Sequence, residues 1–229
     1  MFSSLALVTI GQSPRPDMVA PIVQALGDKG QRLRLVEAGL LDGLDAAQVA
    51  SAYAPQGDDI PLVTKLRDGQ VVKIASSKVE HGLQAVIDRL EADGHEVIVL
   101  LCTGRFEGLQ TRKALLIQPD VLMPAVIAGL VPGAVIGVVA PAREQLAETP
   151  TKWLRAGLQP VCTAASPYAL GNDDWRQAAQ ELRQVADLRL VILDCMGNGE
   201  AQRDWLAREL DVPVLTPGAI VASALGVLL

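Results

Sequence analysis

Aromatic residues and charges of positive sign are scarce in this chain of 229 residues. Only 3% of the residues are aromatic while half are apolar, so Leu, Val, Ile and Ala must supply the core. Such a core fits alternating strands and helices better than an all-β sandwich. No apolar stretch approaches the ~20 residues that span a bilayer. The formal charge of −6 argues against nucleic acid and against an anionic membrane as partners.

Motifs for common cofactors are missing as well. The sequence contains neither the Gly-x-Gly-x-x-Gly fingerprint of dinucleotide-binding proteins nor a Gly-Lys-Ser/Thr phosphate loop. Cys102, Cys162 and Cys195 match no zinc or disulfide spacing, and His81 and His95 are expected at the surface. We therefore expect neither a cofactor nor a metal.

Three cysteines cannot all pair within the chain, which indicates a reducing compartment. The first apolar run, Leu5 to Ile10, is too short for a signal core, and no basic segment precedes it. The expectation is a cytoplasmic protein. Its composition permits a homodimer but does not indicate one.

Two short stretches of the chain look alike, and the interpretation of the whole sequence depends on them. Residues 96–101 and 189–194 are apolar runs that each lead into a cysteine, Cys102 or Cys195, with a glycine two residues later. Runs of this kind are typical of buried strands in a parallel sheet. Open α/β sheets bind ligands outside the carboxyl ends of such strands. The pattern predicts two thiols that face one substrate across a cleft.

The remaining periodicity predicts a β-α-β order that occurs twice. An Asp-Gly turn predicts a hairpin near 62–74, which has no counterpart in the second half. We predict an N-terminal α/β lobe over 1–130 with this hairpin as an insertion, and a C-terminal α/β lobe over 131–229. The final helix is left open to pack back on the first lobe. The other predicted elements are strands at 4–10, 31–37, 134–140, 159–163 and 212–215, and helices at 18–27, 77–93, 121–130, 144–156, 173–186, 200–210 and from 217 onward, while 38–61 and 104–119 have no regular pattern.

Local signals also predict where the helices begin. Asp17, Ser76 or Ser77, and Asn172 or Asp173 are placed as N-caps of their helices. A helix is expected soon after Cys102 and after Cys195, where its dipole would favour a thiolate.

A cysteine acts as a base only as the thiolate, so its pKa must fall from about 8.5. Two thiols on opposite faces of a carbon could remove a proton from one side and return it from the other. The alternative is that each cysteine is a small buried hydrophobe, which is common for free cysteine. Cys162 lies late in a strand without a matching partner and is interpreted as structural.

Polar residues after the first strand form a second candidate group. Thr9, Gly11, Gln12 and Arg15 are expected near the same sheet edge as Cys102. Arg15 could form a bidentate contact with a carboxylate, or be a solvated loop arginine. Asp194 could tune Cys195 or serve as a turn residue.

Four segments of the chain resemble the AroM family. They are residues 9–17 (TIGQSPRPD), 53–55 (YAP), 101–106 (LCTGRF) and 194–197 (DCMG). The family is similar to the Asp/Glu/hydantoin racemase superfamily. That resemblance implies two Rossmann-like lobes with pseudo-twofold symmetry, parallel sheets and a cleft between the lobes.

By the same resemblance, Cys102 and Cys195 are the acid–base pair. Backbone amides of Thr103, Gly104, Met196 and Gly197 would bind the substrate carboxylate. The sequence departs from the racemase pattern at Thr103-Gly104, where Asn-Thr is common, and at Met196, where threonine is usual. Asn198 stands where an aromatic residue is frequent in the AroM motif.

The sequence therefore predicts a cofactor-independent racemase or isomerase of a small carboxylate-bearing metabolite. Thr9, Gln12 and Arg15 are expected to contact that substrate. One alternative is a lyase or decarboxylase in which Cys195 is the sole proton donor. Another is a non-catalytic metabolite-binding protein, which the altered residues after both cysteines suggest.

Overall fold

The computed structural model describes residues 2–229, which divide into two compact units. The first unit reaches Pro119 and includes Ala222–Leu229, and the second is Asp120–Val221. Each unit contains a four-stranded parallel sheet with helices between its strands, so the predicted α/β class is confirmed. Residues 120–130 belong to the second unit, whereas the sequence analysis placed them in the first lobe.

The helices and strands of the chain follow in order. Up to Pro119 they are β1 (Ser4–Thr9), α1 (Pro16–Leu26), α2 (Asp28–Gln31), β2 (Arg34–Gly39), α3 (Ala46–Tyr53), β3 (Pro61–Lys65), β4 (Val71–Ala75), α4 (Ser76–Ala92), β5 (Val97–Leu100) and β6 (Leu115–Ile117). From there they are α5 (Pro119–Leu130), β7 (Val135–Ala140), a 3-10 turn (Arg143–Gln145), α6 (Thr149–Arg155), β8 (Gln159–Ala164), α7 (Asp173–Arg183), β9 (Leu190–Leu193), α8 (Glu200–Leu210), β10 (Val214–Leu215) and α9 (Pro217–Leu228). Among the described residues, no helix is long and apolar enough to cross a membrane.

The two parallel sheets have the same internal order. The first runs β2-β1-β5-β6, and the second, taken from its other edge, runs β8-β7-β9-β10. The hairpin β3–β4 forms a separate antiparallel pair, as its Asp-Gly turn predicts. Strands β5 and β9 therefore hold equivalent places, each between the first strand of its unit and a short edge strand.

The central strands and the helices against them form the cores. Every residue of β5 and of β9 is buried, which explains their unbroken apolar runs. Helix α4 buries Val79, Leu83, Val86, Ile87 and Leu90, the apolar face that its 3.6-residue period predicts. Helix α7 buries Trp175, Ala178, Ala179 and Leu182 in the other unit.

Several local predictions prove wrong in detail. Arg15, not Asp17, is the N-cap of α1, and Asp17 lies in its first turn. Ala75 precedes α4, while the Ser77 hydroxyl donates to Asp59 Oδ1 instead of capping. Asn172 caps α7 as predicted, since its Oδ1 accepts from Trp175 N.

The two segments without a regular sequence pattern contain regular structure. Helix α3 begins with a capping box in which Asp45 and Gln48 bond reciprocally to each other's backbone N–H. Edge strand β6 is only three residues long, and its pattern is too short to stand out. Because β6 completes the first sheet, that unit ends shortly after it.

Candidate active site

Cys102 and Cys195 occupy the same position relative to their sheets. Leu101 N donates to Val8 O at 2.7 Å, and Asp194 N donates to Val139 O at 2.8 Å. Val8 pairs with Leu100 and Val139 with Leu193, so each cysteine is the second residue beyond its strand. Each thiol thus follows the carboxyl end of an equivalent strand, the place where parallel sheets bind ligands.

Cys102 lies in an apolar setting with one nearby backbone donor. Its side chain is buried, and Gly104 N donates to Cys102 Sγ at 3.3 Å. A Cβ added to Gly104 would lie 3.1 Å from Leu62 Cδ2 and 3.4 Å from Phe106 Cζ. Leu62 on β3 and Phe106 therefore crowd the turn after Cys102, and the glycine leaves the space they need.

The segment after Cys102 is a long loop, so the prediction of a helix there is wrong. Residues 101–114 connect β5 directly to β6, and the next helix is α5. Side chains of α4 hold this loop: Glu80 accepts from Gly108 N at 2.6 Å, and Gln84 accepts from Gln110 N at 3.0 Å. The Cys102 loop is thus fixed by side-chain contacts instead of by helical bonds.

Glu91 holds the far end of the same loop. Its carboxylate accepts from the backbone N–H groups of Arg112, Lys113 and Ala114. These backbone hydrogen bonds lower the pKa of Glu91, because they favour its charged form.

Cys195 begins a tight turn ahead of α8. Asn198 N and Asn198 Nδ2 donate to Cys195 O at 3.0 and 3.3 Å. Helix α8 begins at Glu200, five residues beyond the thiol. A Cβ on Gly197 would lie 2.8 Å from Tyr168 Oη, so Tyr168 lies against this turn. Asn198 Oδ1 is buried and has no hydrogen-bond partner within residues 2–229.

A buried group of charges adjoins Cys195. Lys152 Nζ lies 2.8 Å from Asp194 Oδ1 and 3.5 Å from Asp120 Oδ1. The side chains of Lys152, Asp194 and Asp120 are only 12%, 6% and 11% exposed. We refer to these three residues as the Lys152 cluster. They come from α5, α6 and the residue after β9.

Cys162, on the edge strand β8 of the same sheet, responds to the same charges. Burial raises the pKa of the Cys162 thiol to about 12, with a further increase from Asp194 and an opposing effect of Lys152. A thiol with this pKa is protonated at neutral pH, which agrees with the interpretation of Cys162 as structural.

Thr9 is the last residue of β1, and Gly11 and Gln12 follow it, beside the strand that leads to Cys102. Thr9 Oγ1 accepts from Gly11 N at 3.1 Å. The Gln12 amide is engaged at both ends: Nε2 donates to Leu41 O and Leu44 O, and Oε1 accepts from Arg67 N. These bonds attach the loop after β1 to the segment between β2 and α3 and to the turn of the β3–β4 hairpin. A role for these residues in binding substrate stays a prediction.

Arg15 is buried and pairs with an acid of its own helix. Its Nε and Nη2 donate to the two Asp17 carboxylate oxygens at 2.8 and 2.7 Å. Burial of Asp17 raises its pKa, but the Arg15 guanidinium outweighs this and holds that pKa below its usual value. The bidentate carboxylate contact expected of Arg15 is therefore present within the protein, and contact with a substrate stays a prediction.

Sequence reasoning missed Lys152, Asp120, Leu62 and Tyr168. Nothing in the local pattern places Lys152 near Asp194, because the two residues are brought together only by the packing of α6 on the sheet. His95 was expected at the surface but is buried, while His81 is exposed. Among the described residues, no group of three or more His, Cys, Asp or Glu side chains is arranged to hold a metal.

Solved structures of other proteins share the fold of this chain. Glutamate racemase from Aquifex pyrophilus matches over 99% of this chain and 84% of its own, with 14% identity and a TM-score of 0.61. Aspartate racemase from Picrophilus torridus matches over 97% and 93%, with 12% identity and a TM-score of 0.54. Arylmalonate decarboxylase matches over 97% and 92%, with 16% identity and a TM-score of 0.53. The chain has the fold of the Asp/Glu racemases.

The family follows from the sequence itself. The model of the AroM protein family matches residues 5–229, and the chain belongs to this family. The resemblance noted in the sequence is thereby confirmed. Among curated proteins, no sequence matches this chain.

Proposed function

We propose that this protein is a cofactor-independent racemase or isomerase of a small carboxylate-bearing metabolite. Cys102 and Cys195 are its acid–base pair. Backbone amides of Thr103, Gly104, Met196 and Gly197 bind the substrate carboxylate, and Thr9, Gly11, Gln12 and Arg15 shape and contact the same site.

The proposed reaction moves one proton on each side of a carbon. One cysteine, as thiolate, removes the proton from the carbon next to the carboxylate. Negative charge then spreads onto the carboxylate oxygens, where backbone N–H groups stabilise it. The other cysteine, as thiol, donates a proton to the opposite face. The two thiols have exchanged protonation states, and the next turnover runs in the reverse direction.

The equivalent placement of the two cysteines supports this proposal above all. A structural cysteine has no reason to recur two residues beyond equivalent strands of two sheets. Cys162, whose raised pKa keeps it protonated, offers the contrast within the same chain. The relatives that share the fold are named for racemisation of glutamate and of aspartate and for decarboxylation of an arylmalonate.

Deuterium exchange tests the proposal across a whole panel of candidate substrates at once. Small α-amino, α-hydroxy and dicarboxylic acids are incubated with the protein in deuterium oxide, and label at the carbon next to the carboxylate is measured. With the acid found, Cys102→Ala and Cys195→Ala should each reduce racemisation about 10²–10⁴-fold. Cys162→Ala is the matched control and should leave the rate unchanged. Full activity of either single alanine variant at positions 102 or 195 would refute the two-thiol mechanism.

A lyase or decarboxylase is the second candidate, and the unequal surroundings of the two thiols favour it. Cys102 is 8% exposed and lies in one core cluster with Leu62 and Phe106, whereas Cys195 is more accessible. In this reaction Cys195 alone protonates the carbanion that loss of carbon dioxide leaves. Release of carbon dioxide from substituted malonates, abolished by Cys195→Ala but not by Cys102→Ala, would identify it.

A non-catalytic metabolite-binding protein is the third candidate. The internal bonding of Gln12 and Arg15 favours it, because groups expected to bind substrate are already engaged. Tight binding of a carboxylate, with thiols that alkylate no faster than in the unfolded chain, would support this candidate. Label at the ligand's α-carbon would exclude it.

A further inference from the structure

The fold does not require the Lys152 cluster. Burying two carboxylates and an ammonium group costs desolvation energy that their attraction offsets only in part. In the first unit the position equivalent to Asp194 is occupied by Leu101, an apolar residue that is only 3% exposed. Its N–H makes the same bond to the first strand of the sheet that Asp194 N–H makes. The charges therefore call for a reason other than folding.

The charges of the cluster act on the Cys162 thiol and adjoin Cys195 along the chain. Asp194 directly precedes Cys195, and Asp194 and Lys152 shift the titration of Cys162 in opposite directions. Among the described residues, the charged and titratable groups around this strand end are Asp120 from α5, Lys152 from α6, Cys162 from β8, Tyr168 beside Gly197 and Asp194 itself. A unit charge several ångströms from a thiolate shifts its titration by roughly one pH unit at an effective dielectric constant near 20.

We propose that Lys152 and Asp194 set the reactivity of the Cys195 thiol. Asp194 disfavours the thiolate, and Lys152, held in place by Asp120, favours it. In the first unit the residue before Cys102 is the uncharged Leu101. The two cysteines of the proposed acid–base pair are thus chemically unequal. The consequence for turnover rests on the proposed function, but the reactivity of the thiol does not.

Alkylation of each cysteine measures this directly. Wild-type protein and variants react with iodoacetamide between pH 6 and 10, and peptide mass spectrometry gives the pH midpoint for each thiol. Asp194→Leu should lower the midpoint of Cys195 by roughly one unit, and Lys152→Met should raise it by a similar amount. Lys152→Arg should restore the wild-type value. Cys102, measured in the same samples, is the internal reference and should not move.

Shifts of opposite sign distinguish an electrostatic role from a structural one. If the cluster were merely structural, the two substitutions would loosen the turn and shift the Cys195 midpoint in the same direction, or would not shift it at all. Either result overturns the proposal. Asp194→Leu places the first unit's residue in the second unit and leaves Lys152 paired with Asp120, so this variant should fold. If Lys152→Met does not fold, Asp120→Asn combined with Lys152→Met replaces it, and its Cys195 midpoint should also rise.

Arg183→Met is the matched control. It breaks an exposed ion pair with Glu209 in the same unit and should leave all midpoints unchanged. Failure of this inference is distinct from failure of the proposed function. Midpoints that shift as expected, without proton exchange on any acid, leave the inference standing and refute the catalysis. If deuterium exchange on an acid needs both cysteines while the Cys195 midpoint does not shift in the variants, the proposed catalysis stands and this inference is refuted.

Discussion

The two sheets of this protein use one topology to place a cysteine in two different chemical settings. In the first unit, Cys102 follows Leu101 and opens a loop whose backbone is held by α4. In the second, Cys195 follows Asp194 and opens a turn backed by the Lys152 cluster. Strand order and register are the same in the two sheets. The difference lies in the segment that follows each thiol and in the residue before it, which is Leu101 in one unit and Asp194 in the other.

This comparison separates what positions a thiol from what tunes it. The carboxyl end of a central parallel strand is enough to place a cysteine at a ligand-binding edge. The surroundings of each thiol come from elements that are distant in sequence: α4 holds the loop after Cys102, and α5 and α6 supply Asp120 and Lys152 beside Asp194. Four predictions test the contrast, beginning with the largest expected effect.

Replacing Leu101, the residue before Cys102, by the aspartate that the second unit has at this position should severely destabilise the folded protein. Leu101→Asp places a carboxylate in a buried position that lacks the lysine of the second unit. We expect the free energy of unfolding, measured in urea, to fall by about 3–5 kcal/mol. Leu101→Met is the control and should cost less than about 1.5 kcal/mol. Equal stability of the two variants would show that Leu101 is not in an apolar setting.

Cys162 should be almost inert in the folded protein. Because its pKa is about 12, alkylation at pH 8 should be more than about 100-fold slower than in urea-unfolded protein. Asp194→Leu should speed the reaction of Cys162, because Asp194 contributes to the raised pKa. Peptide mass spectrometry follows both rates. Equal rates in folded and unfolded protein would contradict the burial of this thiol.

Loss of the Glu91 carboxylate should loosen the Cys102 loop. Glu91→Gln weakens three charge-assisted bonds, so trypsin should cut after Arg112 and Lys113 several-fold faster than in wild type. His81→Gln, at an exposed position of the same helix, is the control and should leave cleavage unchanged. The pKa of Glu91 is lowered in the folded protein, so its stabilising effect is full above its usual pKa. The hydrogen-exchange protection of residues 112–114, relative to the unfolded chain at the same pH, should therefore fall as the pH drops through the lowered value.

The smallest effect concerns His95, in the turn before β5. Burial and the nearby Arg34 charge lower its pKa, and its buried Nδ1 has no partner among residues 2–229. The unfolded chain therefore binds a proton below about pH 6.5 that the folded protein resists. Stability should fall as the pH drops from about 6.5 toward the lowered value, and His95→Phe should reduce this slope in thermal unfolding. His81→Phe, at an exposed position, should not.

Long periodic segments could be read directly from the residues. The apolar face of α4 and the hairpin with its Asp-Gly turn lie where the pattern predicts, because period and turn chemistry are local properties. Features that are short, or that depend on contacts, could not be predicted from the sequence. Strand β6 has three residues, and α3 depends on a capping box inside a stretch rich in Gly, Asp and Pro.

The candidate site divides in the same way. The positions of Cys102 and Cys195 at strand ends were visible, since an apolar run that stops at a cysteine needs no tertiary information. The N-cap of α1 could not be predicted, because in the folded chain the Asp17 carboxylate binds the Arg15 guanidinium. The buried His95 was missed because its burial arises from packing rather than from sequence pattern.

By itself, the sequence determined the α/β class, the two similar halves, the place of both thiols and the family. These depend on hydrophobic period and on motifs, which are carried by neighbouring residues. Only the tertiary structure decided that Lys152 meets both Asp120 and Asp194, and that α4 holds the loop after Cys102. Electrostatic energy depends on distance in space, and distance along the chain does not report it.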